Sequence, residues 1–283
     1  MRMPSHPFAP AQPGSFAWWP VLASAGVALW LLSLAVGADT LHGWLSAMGW
    51  SLNAHGHSHV YDHGHPFVDA RSWWGVPNAM DVLTNLPLVW VGGWGLWRLS
   101  AHAVTPTARA VLGVLFAGVL LSGLGSAWYH WAPDAAGLAW DRLGMAVAFA
   151  GALGLAMHER GLPGVRAALW VLLGMGAVSA CLPWLIGQVL PWALIQFGGV
   201  VFIVVLAWQR PASHALGVNL VVLIACYAVA KCLELNDEAV FHATGHRVSG
   251  HSLKHLAAAL AAWPVCWALA RQPLRHNASR CAA

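Results

Sequence analysis

The stretch HRVSGHSLKHLAAALAAW, residues 246–263, sets His251 and His255 at the mouth of an apolar run that carries no further charge through Ala270. A helix that crosses a bilayer needs roughly 20 mainly apolar residues, and this run supplies them. Working outward, the rest of the chain has the same character. Of 283 residues, 59% are hydrophobic and only 8% are charged, against about 25% charged in soluble proteins. A soluble fold has no means of covering so much apolar surface, so the chain reads as an all-α integral membrane protein. The net charge of +4 comes from few groups. It reports topology and gives no nucleic-acid footprint. The 19 tryptophans suit aromatic belts at the two interfaces. Cys181, Cys226, Cys232, Cys266 and Cys281 show no C-x-x-C spacing, and most fall inside apolar runs. They read as small core residues and not as a disulfide or thiolate framework.

Eight apolar segments qualify as spans: 18–37, 79–99, 109–131, 138–157, 165–187, 190–208, 214–234 and 249–270. Two connections are long, 38–78 and 235–248. The first span has a second reading, because LAVGADT (34–40) also resembles a small-residue cleavage site after Ala38, making residues 1–38 a signal peptide. Both readings leave the next segment on the same outer side. Of the 14 lysines and arginines, the alternating topology puts about nine on one side, which predicts cytoplasmic termini by the positive-inside rule.

Ionisable groups within spans are costly and mark functional sites. The third span ends SGLGSAWYHW, with Ser126 and His130 one turn apart on one face. The fourth opens LAWDRLG and carries Asp141 near its start, and the eighth opens SGHSLKH, with His251 and His255 again one turn apart. All five lie at the outer ends of their helices. Three neutral imidazoles at one depth suit a zinc ion and leave its fourth position open for water, the catalytic pattern. An adjacent carboxylate can take that water's proton, and a hydroxyl can donate to a developing oxyanion. The same residues would equally serve as hydrogen bonds between helices. His242 and His246 form a second H-x-x-x-H pair, in a polar loop at no matching depth.

The constellation Ser126, His130, Asp141, His251 and His255 resembles the alkaline ceramidase family, and VSGHSLKHLAAALAAW (248–263) looks especially like its bacterial phytoceramidase-type members. That family belongs to a membrane hydrolase superfamily that includes the adiponectin receptors. The resemblance covers roughly residues 70–270. It implies a seven-transmembrane-helix bundle over 79–270 with an additional N-terminal hydrophobic helix or signal peptide within 1–38. An outer His-rich loop would fill 39–78 and a cytoplasmic tail 271–283. It further implies a zinc-dependent amidase that cleaves the N-acyl bond of ceramide or a related N-acyl lipid, with the site near the periplasmic face of a bacterial inner membrane. His130, His251 and His255 would hold zinc. Asp141 would orient or deprotonate water, and Ser126 would assist the metal or the oxyanion. MDVLTNLP (80–87) resembles the polar start of the family's first core helix, which makes Asn85, and Asp81 on the same face, residues that support the ligands from behind or bond two helices.

The acidic calcium-binding segment of the animal enzymes has no counterpart here. VYDHGHPFVDARSWWGVPNAM (60–80) offers only Asp62 and Asp69, which leaves a Ca2+ requirement open. HGHSHVYDHGH (55–65) is either a metal-gathering loop or an exposed tract. In LELNDEAVFH (233–242), Glu234, Asp237 and Glu238 read first as a solvated acidic loop, with Glu234 the one to test as a wall of the site. Lys254, off the face of the two histidines, is expected to reach headgroups or solvent. The sequence names no protein partner. Two other classes remain: a ligand-responsive receptor with weak or no hydrolysis, and a metal carrier. A carrier should show ionisable residues through both halves of the membrane, and here they gather at one face.

Overall fold

The computed structural model describes residues 19–36, 40 and 67–275. It is all-helical and contains five helices long and apolar enough to cross a membrane. In chain order the helices are α1 (Trp19–Ala35), α2 (Ala79–Leu83), α3 (Leu86–Ala101), α4 (Pro106–Trp131) and α5 (Ala135–Glu159). There follow α6 (Val165–Ile186), α7 (Leu190–Ala207), α8 (Leu220–Leu235), α9 (Asp237–Ala243), α10 (Gly250–Leu260) and α11 (Trp263–Ala270). These five long apolar helices are α4, α5, α6, α7 and the run of α10 and α11 taken together. The 55–65 histidine tract and Cys281 lie outside the described residues.

Four of the expected spans differ from the helices that form. The segment 79–99 is divided: Pro87 has no N–H to give the Leu83 carbonyl, so Thr84 and Asn85 break the helix between α2 and α3. The segment 249–270 is interrupted at Ala261 and Ala262 for the same reason, since Pro264 cannot bond the Leu260 carbonyl. The segment 214–234 starts late. Buried Glu159 accepts the backbone N–H groups of Leu216, Gly217 and Val218 at 2.8, 3.0 and 2.9 Å, which holds that stretch as a loop until Asn219 caps α8. Within α7, residues 194–198 widen into a π turn. The 235–248 connection is itself partly helical, as α9.

The core is built from α4 and α5, with Leu112, Phe116 and Leu155 fully buried and Leu206 and Leu269 packed against them from α7 and α11. Without a hydrophobic drive between helices in lipid, close approach of backbones at small residues does the packing. Gly144 of α5 lies against the backbone of Leu121 and Ser122 in α4, and a Cβ at Gly125 would stand 2.7 Å from the Trp140 carbonyl oxygen. This contact brings Ser126 and Asp141 to one level. Trp128, Trp131 and Trp140 at that end, and Trp208 and Trp267 on other helices, are exposed, as rings at a lipid boundary are.

Gly144→Ala is therefore expected to destabilise the protein by about 1–3 kcal/mol through overpacking. Gly174→Ala, where an added Cβ meets nothing within 4 Å, should be neutral or stabilising by up to about 1 kcal/mol. Thermal unfolding midpoints in detergent check the pair, and equal midpoints would remove the close-packing argument.

Candidate metal centre

His130 ends α4, and His251 and His255 lie on the first two turns of α10. Ser249 caps α10 by accepting the Ser252 N–H at 2.9 Å, and Asp237 Oδ1 accepts the His251 N–H at 2.7 Å. Gly250 sits so close to the Leu233 carbonyl and the Asp237 backbone that no side chain fits there. The helix that carries two of the imidazoles is thus pinned at its mouth to the end of α8 and the start of α9.

The three imidazoles are buried, and each offers a nitrogen within 4.8 Å of the others. His251 Nε2 and His130 Nε2 are 3.1 Å apart. Two nitrogens that share one zinc ion at 2.0–2.1 Å with tetrahedral angles are about 3.3–3.4 Å apart. The cluster is close to that spacing, and an all-nitrogen donor set suits zinc. The three histidines could hold a metal ion.

The tautomer of His255 follows from its neighbours. The Thr84 hydroxyl donates to the Met80 carbonyl at 2.7 Å, which leaves its oxygen to accept the His255 Nδ1–H at 3.0 Å. His255 Nε2 then carries a lone pair and faces the cluster. Ser126 Oγ lies 3.4 Å from that nitrogen and lines the same end of the cavity as Asp141.

Asp81 and Asn85 sit behind this arrangement. Asp81 is fully buried and accepts the Ser252 hydroxyl at 2.6 Å and the Ser249 hydroxyl at 3.4 Å, while Asn85 donates to the Asp81 carbonyl at 2.7 Å. Asp81 therefore joins α2 to the first turn of α10, next in sequence to His251. From outside, Asn78 donates to the His130 carbonyl at 2.8 Å, and Phe67 packs edge-on to the His130 ring with centroids 4.9 Å apart. Asp69 is buried, and the Arg71 guanidinium takes both its oxygens at 2.6 Å while also donating to the Arg247 carbonyl at 2.7 Å. A guanidinium is where a cation held by Asp69 would sit; Asp62 lies outside the described residues.

An apolar cavity of about 170 Å³ opens beside the cluster. Asn85, Ser126, Asp141 and His255 line its polar end, and Leu115, Val119 and Ile203 its depth. From Ser126 to Leu115 it follows α4 for about 16 Å at 1.5 Å per residue. Glu234 also lines it. Lys254 is a correction: it does not reach out to headgroups or solvent. Its Nζ donates to Glu234 Oε1 at 2.7 Å, Lys231 pairs with the other carboxylate oxygen, and all three line the cavity. Glu234 offsets the desolvation that would otherwise drive the ammonium to water. Asp237, read as part of a solvated loop, is another correction, because its carboxylate anchors α10. His242 and His246 meet edge to face with centroids 4.7 Å apart, exposed and outside the triad.

The structure thus brings together His130, His251, His255, Ser126 and Asp141, with Asp81 and Asn85 adjoining and Glu234 further along the cavity. Thr84 went unrecognised in the sequence, although it is the neighbour of Asn85 in a stretch already notable for polar residues at a helix mouth. No family model and no curated protein matches the chain.

Proposed function

We propose that the protein is a zinc-dependent intramembrane amidase that hydrolyses the N-acyl bond of ceramide or a related N-acyl lipid to a sphingoid-type amine and a free fatty acid. The observation that carries this reading is the convergence of three buried imidazole nitrogens with Ser126 and Asp141 at the polar end of an apolar cavity. Zinc held by His130, His251 and His255 would supply Lewis acidity to the amide carbonyl and make water nucleophilic near neutral pH. The cavity walls around Leu115, Val119 and Ile203 hold an acyl chain out of water. Asp141 takes the proton of the attacking water and returns it to the amine nitrogen as the C–N bond breaks and the C–O bond forms. Ser126 donates to the carbonyl oxygen as negative charge gathers there.

In the same reading α3 and α8, at 16 residues each, complete a seven-span bundle with α4 to α7 and the α10–α11 rod, and α1 is additional. The site lies near the periplasmic face of a bacterial inner membrane, with the C-terminus cytoplasmic.

Fatty acid released by the purified protein from a mixed panel of N-acyl and O-acyl lipids, followed by mass spectrometry, tests the proposal. Release from N-acyl lipids alone, lost on chelation and regained with zinc, is expected. No release from any lipid with metal still bound would overturn the amidase and favour a receptor-like protein.

A further inference from the structure

Three charged side chains in the wall of the apolar cavity take no part in the proposed chemistry. Lys231 and Glu234 belong to α8, on the stripe that also carries Leu223 and Tyr227 to the cavity, and Lys254 belongs to α10, on the stripe of His255 and Ala258. Their side chains are 27%, 24% and 19% exposed, so each is open enough to meet a ligand and enclosed enough for its charge to be felt. The charges are directed into the bundle. Those of Lys254 and Glu234 both act on Asp141 of α5, and that of Glu234 acts on Tyr227, residues that line the cavity as well. Gly250 at the start of α10 stands against Leu233 at the end of α8, which brings Lys231 and Lys254 within about one helical turn of His255 in depth.

The cluster is unbalanced. Glu234 accepts from Lys254 at 2.7 Å through Oε1 and from Lys231 through Oε2, so one carboxylate answers two ammoniums. Lys254 and Glu234 by themselves join α10 to α8. Lys231 comes from the same helix as Glu234 and adds no link between helices, yet it sets a second ammonium in an apolar wall, where an unmatched charge is costly. An ammonium has three N–H donors. Each of these gives one to Glu234, and among the described residues neither makes another hydrogen bond. Four donors and one surplus positive charge thus remain at the wall. A link between helices needs none of them. A carboxylate brings the single negative charge that neutralises the cluster, whereas a phosphate monoester would overfill it.

We propose that Lys231 and Lys254, held by Glu234, form a carboxylate-binding subsite that makes N-acyl amino acids, and not ceramides, the preferred lipid amides of this protein. The inference rests on the amidase reading and narrows its substrate class. In an N-acyl amino acid the carboxylate is two bonds from the amide nitrogen. With the acyl chain along Leu115, Val119 and Ile203 and the amide at the histidine end, that carboxylate accepts charge-assisted hydrogen bonds from both ammoniums. Water adds across the C–N bond, its oxygen to the acyl carbon and its hydrogen to the nitrogen, and the products are a fatty acid and a free amino acid.

The test measures binding apart from hydrolysis. The probes are hydrolysis-resistant hexadecanesulfonyl amides of glycine and of ethanolamine, which differ only in a carboxylate against a hydroxymethyl group. Affinity is read from the rise in the unfolding midpoint of the full chain in neutral mixed micelles, and release of fatty acid from N-palmitoylglycine and ceramide is followed separately by mass spectrometry. The glycine probe should bind about tenfold or more tightly than the ethanolamine probe, and Lys231→Gln and Lys254→Gln should each lower that preference about tenfold, as loss of a charge-assisted hydrogen bond does. Either variant leaves Glu234 with one lysine, a matched pair that favours folding, and if one fails to fold the other decides. Equal affinities in the wild type, or a preference that the variants leave unchanged, overturns the subsite even where amides are hydrolysed. Faster hydrolysis of ceramide than of N-palmitoylglycine overturns the substrate class. A preference lost in the variants, with no hydrolysis of any lipid, keeps the anion subsite and removes the amidase.

Discussion

On the proposed zinc-amidase reading, replacing His255 with alanine is expected to cost the centre its metal and to lower lipid hydrolysis by about three orders of magnitude or more, with the fold retained. The expectation rests on where the nitrogen points. The Thr84 hydroxyl spends its proton on the Met80 carbonyl and so can only accept from His255 Nδ1–H, which commits Nε2 to the cluster as a lone pair. With that nitrogen gone, His130 and His251 remain 3.1 Å apart as a two-ligand site, and two imidazoles hold zinc far more weakly than three. Metal-assisted polarisation is worth several kcal/mol, and each 1.36 kcal/mol is tenfold in rate. Metal content by mass spectrometry, hydrolysis and the unfolding midpoint should be read on one preparation. His255→Gln keeps most of the volume and separates loss of the ligand from loss of packing. Full metal occupancy together with unchanged turnover in both variants would end the assignment of His255 as a ligand.

The triad could be read in the sequence because its grammar is local. His-x-x-x-His and Ser-x-x-x-His each put two side chains on one helical face, and hydropathy places both pairs near ends of apolar runs. Counting spans then puts those ends on one side. What could not be read depends on the backbone between such patterns. Thr84 faces His255 because Pro87 breaks the helix two residues before α3, and a hydropathy window sees only one uninterrupted run. Asp237 looks like any acid in a polar loop. Its partner is the His251 backbone N–H, 14 residues later, and a backbone donor leaves no mark on the sequence. Lys254 faces inward because Glu234 comes within 2.7 Å from the end of α8, a tertiary fact. The late start of α8 has the same origin, since Glu159 collects three amides from a stretch apolar enough to continue a helix. Side-chain chemistry at helical spacing was legible, whereas side chains that bond distant backbone were not.

Asp141→Asn is expected to separate proton transfer from metal binding. Asp141 lines the polar end of the cavity beside Ser126, but it is not among the three residues whose nitrogens converge. If it serves as the general base, the amide variant keeps size and shape and loses only the capacity to take a proton. Metal content should then stay at the wild-type level while the rate constant for hydrolysis falls by about 10²–10⁴, the usual contribution of a positioned acid–base group. A KM near the wild-type value should accompany the fall, because the acyl chain is held by Leu115, Val119 and Ile203 further along the cavity. Were Asp141 instead a ligand, the same substitution would release metal, and were it only a bond between α4 and α5, it would lower the unfolding midpoint with little change in rate. Measuring metal content, rate and midpoint together distinguishes the three roles. Wild-type turnover with metal retained would remove Asp141 from the mechanism and leave proton transfer to another group at the polar end of the cavity.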